Sequence, residues 1–254
     1  MSVSFLYKYG RLTEHSEALF STPTIWLSLP SRLNDPFECR PWFTFNGDSH
    51  EVVEALAQIL RRQNPGLTRD TATAHAVGIV LEGRHRDPRT WENMRNDLVA
   101  MLGHRIGLYC LSQHNDSILM WSHYSEDHKG YCLEFEATDQ TPMFGAAQSV
   151  TYSDKYPVID VIRTPNEEQI DLVFLTKFSE WKYEQEWRII DHEIGPGTHE
   201  YPKELLKGVV FGMNMPEADK VRIRDWVSRR GHRIKFYQAA RSDHEFRVDI
   251  REVE

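Results

Sequence analysis

The sequence predicts an α+β fold, a mainly antiparallel sheet with separate helices. Three observations support this. Short segments alternate apolar and polar residues, which is typical of strands. From residue 50 to 103 the apolar residues instead recur every three or four positions, as in Val52, Leu56 and Leu60, which predicts helices. Strands and helices form separate runs, which argues against a parallel, doubly wound sheet.

Strands are predicted throughout the chain, at residues 5–9, 25–29, 108–112, 131–135, 149–152, 187–190, 208–211, 234–238 and 246–250. Alternation supports the strand at 131–135, where Tyr131, Leu133 and Phe135 share one face. Helices are predicted at residues 13–20 with Thr13 as the cap, in a short segment around Met120, at 167–178, and at 216–230 with Pro216 in the first turn. The helical segment 50–104 also contains Trp91, Met94, Leu98 and Leu102 at helical spacing. We interpret it as an insertion or lid within a single domain that spans residues 1–254.

Of the 254 residues, 40% are hydrophobic and 27% are charged. This composition is typical of a folded globular protein. The net charge of −8 makes nucleic acid a weaker partner than for a basic protein. Residues 1–4 lack the features of a signal peptide, and no apolar run reaches the roughly eighteen residues that a membrane span needs. These features predict a cytoplasmic protein without a membrane partner. The odd number of cysteines, Cys39, Cys110 and Cys132, predicts buried thiols.

Two glutamates and an arginine form the first candidate site. In an extended segment over residues 183–190, Glu184, Glu186 and Arg188 share one face, with the two carboxylates about 6–7 Å apart. This spacing suits two tasks at one sugar, since one carboxylate can hold a hydroxyl while the other stabilises an oxocarbenium ion. It suits equally an ion-pair ladder in which Arg188 neutralises one or both acids. Spacing alone favours neither interpretation.

The segment 120–135 combines histidines, hydroxyls and aromatic rings within a short helix and the following strand. His123 and His128 are five residues apart, so a continuous helix would separate them by about 140° and no shared zinc site is expected. Either histidine could be a base or a ligand contact, although an exposed or capping role is commoner. Trp121 and Tyr124 share a helical face, where packing in the core is the simpler interpretation.

A turn-rich segment, residues 34–38, follows the second predicted strand. Pro36 moves Asp35 out of helical geometry, and Asn34 can bond its own backbone, so an Asx-type turn is expected. Its place at a sheet edge makes Asn34 and Asp35 candidate binding residues. Walker A, GxGxxG, HExxH and GxSxG motifs are absent from the sequence, which excludes the commonest signatures of phosphate-loop, dinucleotide, metalloprotease and serine-hydrolase sites.

Several motifs occur in an order that resembles a bacterial and phage family of domains of unknown function, DUF2971-like, over nearly the whole chain. They are LYKY at 6–9, NDPFE at 34–38, CLS at 110–112, MWSHY at 120–124, HKGYCLEF at 128–135 and EQEWR at 184–188. That family carries no settled biochemistry.

More distantly, an aromatic strand, a strand that ends in Ser and a Glu-x-Glu segment are similar in order to the three-part signature of ADP-ribosyltransferases. This resemblance implies a split antiparallel sheet that binds NAD. It places Tyr7 or Tyr9 at the first-strand position, Ser112 at the central serine and Glu186 at the catalytic acid. In this chain no Arg or His occupies the first strand, and the Ser-Thr-Ser element is reduced to residues 111–113.

The resemblance therefore implies an NAD-consuming enzyme without a metal, a defence or toxin component that modifies a macromolecular acceptor, protein or nucleic acid. Glu186 would stabilise the transition state and Glu184 would orient the acceptor. The cleft for NAD would be lined by Tyr7, Ser112, His123 and Tyr124, with Asn34, Asp35, His128 and Arg188 as further binding residues.

Other functions remain open. A non-catalytic sensor would bind a nucleotide or sugar through Trp121, Tyr124, His128 and Arg188. An interaction module would dock an operon partner protein through the helical segment. A hydrolase that acts through paired carboxylates is a further enzyme class.

Overall fold

The computed structural model describes residues 3–103 and 105–254. They form two compact units. The sheet unit comprises residues 3–32, 105–152 and 177–254, and the helical unit comprises residues 33–103 and 153–176. The prediction of one domain with a helical insertion at 50–104 is not tested by this division and stays a prediction.

In chain order the strands are β1 (Phe5–Gly10), β2 (Thr24–Leu27), β3 (Trp42–Thr44), β4 (Gly107–Ser112), β5 (Tyr131–Glu136), β6 (Gln148–Ser149), β7 (Thr151–Ser153), β8 (Val158–Asp160), β9 (Thr176–Phe178), β10 (Glu186–Asp191), β11 (Gly197–Glu200), β12 (Leu206–Phe211), β13 (Lys235–Arg241) and β14 (Val248–Val253). The α-helices are α1 (Ser16–Ser21), α2 (Ser49–Gln63), α3 (Arg69–Leu81), α4 (Pro88–Gly103), α5 (Ile118–Tyr124), α6 (Asn166–Phe174) and α7 (Glu217–Ser228).

An eight-stranded sheet dominates the sheet unit, with the order β14-β13-β12-β5-β1-β4-β10-β6. Neighbouring strands are antiparallel except for β12 and β13, which are parallel. The predicted α+β class with a mainly antiparallel sheet is confirmed. β2 and β11 form a separate antiparallel pair.

The two faces of the large sheet differ. One face carries the main core, where Phe20 of α1 and Trp226 of α7 pack with Leu6, Leu133 and Phe135 of the sheet. Together these burials give the largest hydrophobic contribution to stability. The opposite face carries a smaller cluster of buried residues, which comprises Tyr9, Met120, Trp121, Cys132, Val210, Ala239 and Val248. Helix α5 packs there, and this second face holds the candidate site.

The helical unit contains α2, α3, α4 and α6, and the parallel pair β3 and β8. Helix α2 begins with a capping box. The Asp48 carboxylate accepts from the Glu51 backbone N–H, and the Glu51 carboxylate accepts from the Asp48 backbone N–H. Val52 and Leu56 are buried as their spacing predicts, and Trp91 stacks on Phe45 at 4.3 Å between ring centroids. The predicted packing of Met94, Leu98 and Leu102 concerns side chains outside the described part of the chain.

Several predicted boundaries are wrong. Helix α1 begins at Ser16, because the Thr13 N–H donates to the Ser16 hydroxyl in a turn, and Thr13 does not cap the helix. Helix α6 ends at Phe174, four residues before the predicted end, and the chain continues into β9. Pro216 is the N-cap of α7 and is not part of its first turn. Among the described residues, no helix is long and apolar enough to cross a membrane.

Candidate functional site

Four charged side chains meet inside the sheet unit. Lys177 Nζ lies 2.5 Å from Glu184 Oε2 and 2.9 Å from Glu186 Oε2. The Arg188 guanidinium donates two hydrogen bonds to the Glu186 carboxylate, with Nε 2.7 Å from Oε1 and a terminal nitrogen 2.8 Å from Oε2. All four side chains are at most 5% exposed. We call Lys177, Glu184, Glu186 and Arg188 the charge cluster.

The backbone that brings the two glutamates together is not the predicted strand. Residues Ser179–Glu184 form a 3-10 helix, Gln185 has a left-handed φ of 42°, and β10 begins only at Glu186. The prediction of an extended segment from residue 183 is therefore wrong, and so is the shared strand face of Glu184 and Glu186. Both carboxylates nevertheless meet at one ammonium group, because the sharp turn at Gln185 redirects the chain between them.

The pKa values of the two glutamates shift in opposite directions. Burial alone would raise the pKa of Glu186, but the guanidinium of Arg188 and the ammonium of Lys177 outweigh it and lower the pKa to about 2. Burial raises the pKa of Glu184 above its usual value, and Lys177 and the hydroxyl of Tyr124 offset this only in part. Glu186 is therefore ionised at neutral pH.

Hydrogen bonds from neighbouring elements fix the cluster in place. The Tyr124 hydroxyl on α5 donates to Glu184 Oε1 at 2.5 Å, and the Ser112 hydroxyl donates to the Glu184 backbone oxygen at 2.7 Å. The Tyr152 hydroxyl accepts from the Glu186 backbone N–H at 2.8 Å. Burial raises the pKa of Tyr152 to about 12, so this phenol stays protonated. Of these three bonds only that from Tyr124 is made to a carboxylate; a bond to an ionised carboxylate is about twice as strong as a neutral one.

Three predicted site residues lie side by side across the sheet. Glu186 of β10 is directly opposite Ser112 of β4, and Ser112 is directly opposite Tyr7 of β1. The row continues to Glu134 of β5, which is opposite Tyr7. Because directly opposed residues project from the same face of a sheet, these four side chains share one face. We call Glu186, Ser112, Tyr7 and Glu134 the polar row.

Helix α5 brings three further predicted residues to this face. His123 is exposed, and its Nδ1 lies 3.0 Å from the hydroxyl of Tyr183 in the 3-10 helix. Trp121 is fully buried, as the simpler interpretation predicts, with its ring edge-on to Tyr9 at 5.2 Å. The hydroxyl of Tyr124 reaches Glu184, so this side chain contacts the charge cluster.

His128 lies beyond the end of α5. It closes a run of three residues with left-handed φ, together with Glu126 and Asp127, and its ring stacks on Trp121 at 6.3 Å. Its Nε2 lies 3.1 Å from the Ser122 hydroxyl. Burial lowers the pKa of His128, which favours the neutral ring at pH 7. The two histidines of the motif thus have different neighbours.

Other predicted binding residues have separate surroundings. Asn34 and Asp35 belong to the helical unit, where the Asp35 carboxylate accepts from the Phe37 N–H at 2.8 Å and forms an Asx-type turn. Their role in a cleft stays a prediction. Arg188 is fully buried against Glu186, so the ion-pair interpretation holds for this pair. Its predicted contact with a ligand stays a prediction.

Sequence reasoning missed Lys177, Tyr152 and Glu134. The available signal for Lys177 was its place between Leu175 and Phe178, since a lysine in a short apolar segment needs a buried acid as a partner. Tyr152 and Glu134 gave no comparable signal, because their partners are distant in sequence.

Cysteine thiols and metal-ligating side chains would provide chemistry different from that of the charge cluster. Cys39 and Cys132 are buried and Cys110 is partly buried, and none of the three forms a disulfide. Burial raises the pKa of Cys110 and Cys132, which disfavours reactive thiolates. In residues 3–103 and 105–254, no group of three or more His, Cys, Asp or Glu side chains is arranged to hold a metal ion.

Comparison with known families adds one finding. A family model described as a protein of unknown function, DUF2971, matches residues 120–189. The match covers most of α5, all of β5 and the whole charge cluster. It supports the DUF2971 likeness and carries no biochemical activity. No curated protein and no solved structure matches the chain.

Proposed function

We propose that this chain is an NAD-consuming enzyme of the ADP-ribosyltransferase type that acts as a toxin or defence component in the cytoplasm. One observation carries the proposal: Tyr7, Ser112 and Glu186 lie opposite one another in three neighbouring strands. The resemblance assigns these three residues to one NAD site although they are far apart in sequence. Residues of a single site have to lie close together in the fold. The order of the motifs in the sequence does not by itself bring Tyr7, Ser112 and Glu186 into neighbouring strands.

The proposed reaction breaks the bond between C1′ of the nicotinamide ribose and the nicotinamide nitrogen. Nicotinamide leaves with the electron pair of that bond, and positive charge develops on the ribose. The Glu186 carboxylate stabilises this oxocarbenium-like transition state. A nucleophile of the acceptor then bonds to C1′ and releases its proton to solvent, with Glu184 orienting the acceptor. The acceptor is a protein, a nucleic acid or water.

The electrostatics of the charge cluster support this role for Glu186. A carboxylate that stabilises a cation has to remain ionised, and the pKa of Glu186 is lowered to about 2 by Arg188 and Lys177. The same cations fix the orientation of the carboxylate, which is the preorganisation that electrostatic catalysis requires. Tyr7, which is half-buried beside Ser112, offers a ring for contact with NAD.

The burial of the acids favours a second candidate function. Glu184 is 3% exposed and Glu186 is 5% exposed, and Glu186 already receives a forked guanidinium and an ammonium. In this candidate the charge cluster only stabilises the sheet, and the polar face binds a nucleotide or sugar without turnover. A ligand should then raise the melting temperature and remain intact.

Release of nicotinamide tests the proposal. Purified protein is incubated with NAD, alone and with cell lysate, and free nicotinamide is measured by chromatography. Glu186→Gln should abolish release, whereas Glu180→Gln should not, since Glu180 is an exposed acid in the neighbouring 3-10 helix. Circular dichroism checks the folding of each variant. If Glu186→Gln does not fold, Glu186→Asp replaces it, since it keeps the charge but moves the carboxylate away from the ribose, and it should lower release. Release that persists in the folded variant would contradict the proposal.

A further inference from the structure

Glu134 is a carboxylate in the interior of the large sheet that the proposed reaction does not use. It lies on β5, the neighbour of β1, at the end of the polar row. Its side chain is only half-buried. An acid at the centre of a sheet usually needs a partner, which makes the surroundings of Glu134 informative.

Two tyrosines and a glycine surround this carboxylate. On one side Tyr7 of β1 lies directly opposite Glu134. On the other side Glu134 faces Gly208 of β12. A Cβ atom at Gly208 would lie 3.2 Å from Glu134 Oε1 and 2.8 Å from the ring of Tyr237. The carboxylate and the Tyr237 ring therefore meet in the space that a side chain at position 208 would fill.

The electrostatics of Glu134 differ from those of Glu186. Burial raises the pKa of Glu134, and the bond from Tyr7 and the charge of Lys235 oppose this increase. Lys235 itself is exposed and pairs with Glu252 at 3.0 Å. Glu186 receives a forked guanidinium, whereas Glu134 has the phenol side chain of Tyr7 as its neighbour on β1. Tyr7 and Tyr237 are both half-buried beside it and present aromatic surface.

The distance along the polar row limits what a ligand of both acids can be. Glu134 and Glu186 are three strand spacings apart, about 14 Å between Cα atoms. One ribose cannot contact two carboxylates at this separation. A ligand that contacts both needs two groups that bear hydroxyls, and NAD has two riboses joined by a diphosphate.

We propose that Glu134, together with Tyr7 and Tyr237, binds the adenosine ribose of the dinucleotide. This inference rests on the proposed function. A carboxylate accepts hydrogen bonds from ribose hydroxyls, as acidic residues do in other dinucleotide sites, and the two tyrosine rings provide surfaces on which the nucleoside packs. Glu134 contacts the end of NAD that does not react, so it contributes to binding and not to the chemical step.

A comparison of NAD with nicotinamide mononucleotide distinguishes ribose binding by Glu134 from a purely structural role. Nicotinamide mononucleotide contains the reacting ribose and lacks the adenosine ribose. Glu134→Gln should raise KM for NAD about tenfold with kcat within about twofold, because only uniform binding is lost. Turnover of nicotinamide mononucleotide should stay at the wild-type rate. Glu136→Gln is the matched control on the same strand, since Glu136 pairs with Lys207 at the strand end.

Other outcomes overturn the inference. An unchanged KM for NAD, or an equal loss with both substrates, would show that Glu134 has no role specific to the second ribose. If Glu134→Gln does not fold, Tyr237→Ala should give the same selective loss. If the wild type does not cleave NAD, the proposed function fails, and calorimetry with ADP-ribose then decides this site separately. The proposed ribose site at Glu134 would be excluded if the wild type does not bind ADP-ribose, or if the wild type and Glu134→Gln bind it equally.

Discussion

Replacing Lys177 with methionine removes an ammonium group that contacts both acids of the charge cluster. Its Nζ lies 2.5 Å from Glu184 and 2.9 Å from Glu186, and the side chain is 3% exposed. Methionine has a similar volume and no charge, so the substitution removes both ion pairs with little change in packing. Glu186 retains Arg188, whereas Glu184 retains the bond from Tyr124 but loses its contact with the cation.

The expected loss is large because the acids are buried. Breaking a buried ion pair costs about 3–5 kcal/mol, since a charge is left without compensation. Glu184 can reduce this cost by binding a proton, because burial already raises its pKa. We therefore expect Lys177→Met to lower the free energy of unfolding by about 3–5 kcal/mol at pH 7, and by less at pH 5, where Glu184 is more readily protonated.

Urea unfolding followed by circular dichroism measures this difference. Lys207→Met is the matched control, because Lys207 pairs with Glu136 at 2.6 Å but both side chains are more than a third exposed. An exposed pair contributes about 0–1 kcal/mol. A loss for Lys177→Met no larger than that for Lys207→Met would refute the reasoning that the charge cluster is a buried, energetically coupled unit.

Three further predictions concern the same sheet unit. Tyr124→Phe removes the 2.5 Å bond to Glu184 and should lower unfolding free energy by about 1.5–3 kcal/mol in urea titrations; no loss would mean that the bond is not formed. The folded-state pKa of Glu186 is depressed, so its stabilisation is complete above its usual value of 4.5 and is lost as pH falls towards about 2. The stability difference between wild type and Glu186→Gln should shrink over that range, and a constant difference would contradict the assigned pKa. Gly130→Ala would place a Cβ atom 2.1 Å from a backbone oxygen of β1 and should lower the melting temperature, whereas Gly66→Ala, in open space, should not.

The sequence predicts much of the sheet because the signals for a strand are local. β1, β4, β5, β10 and β12 occur at short segments rich in apolar and aromatic residues, and the burial of Trp121 follows from helical spacing. The helices between residues 50 and 103 follow from their period in the same way. Strand order and register do not, because they depend on contacts between residues far apart in the chain.

In the candidate site, too, local contacts could be predicted from the sequence and contacts between distant residues could not. The ion pair of Glu186 and Arg188 is local and was one of two open interpretations. The 3-10 helix before it was missed, since a left-handed residue is usually Gly or Asn and here it is Gln185. The contact of Lys177 with both acids depends on that turn, so sequence spacing could not predict it. The alignment of Tyr7 with Ser112 likewise depends on the pairing of β1 with β4.

Release of nicotinamide from NAD is the most direct test of the proposed function. The account predicts that the wild type and Glu180→Gln release nicotinamide at similar rates, while Glu186→Gln keeps its fold and releases none. No release by the wild type, with and without cell lysate, or equal release by wild type and folded Glu186→Gln, would contradict the assignment of Glu186 as the catalytic acid.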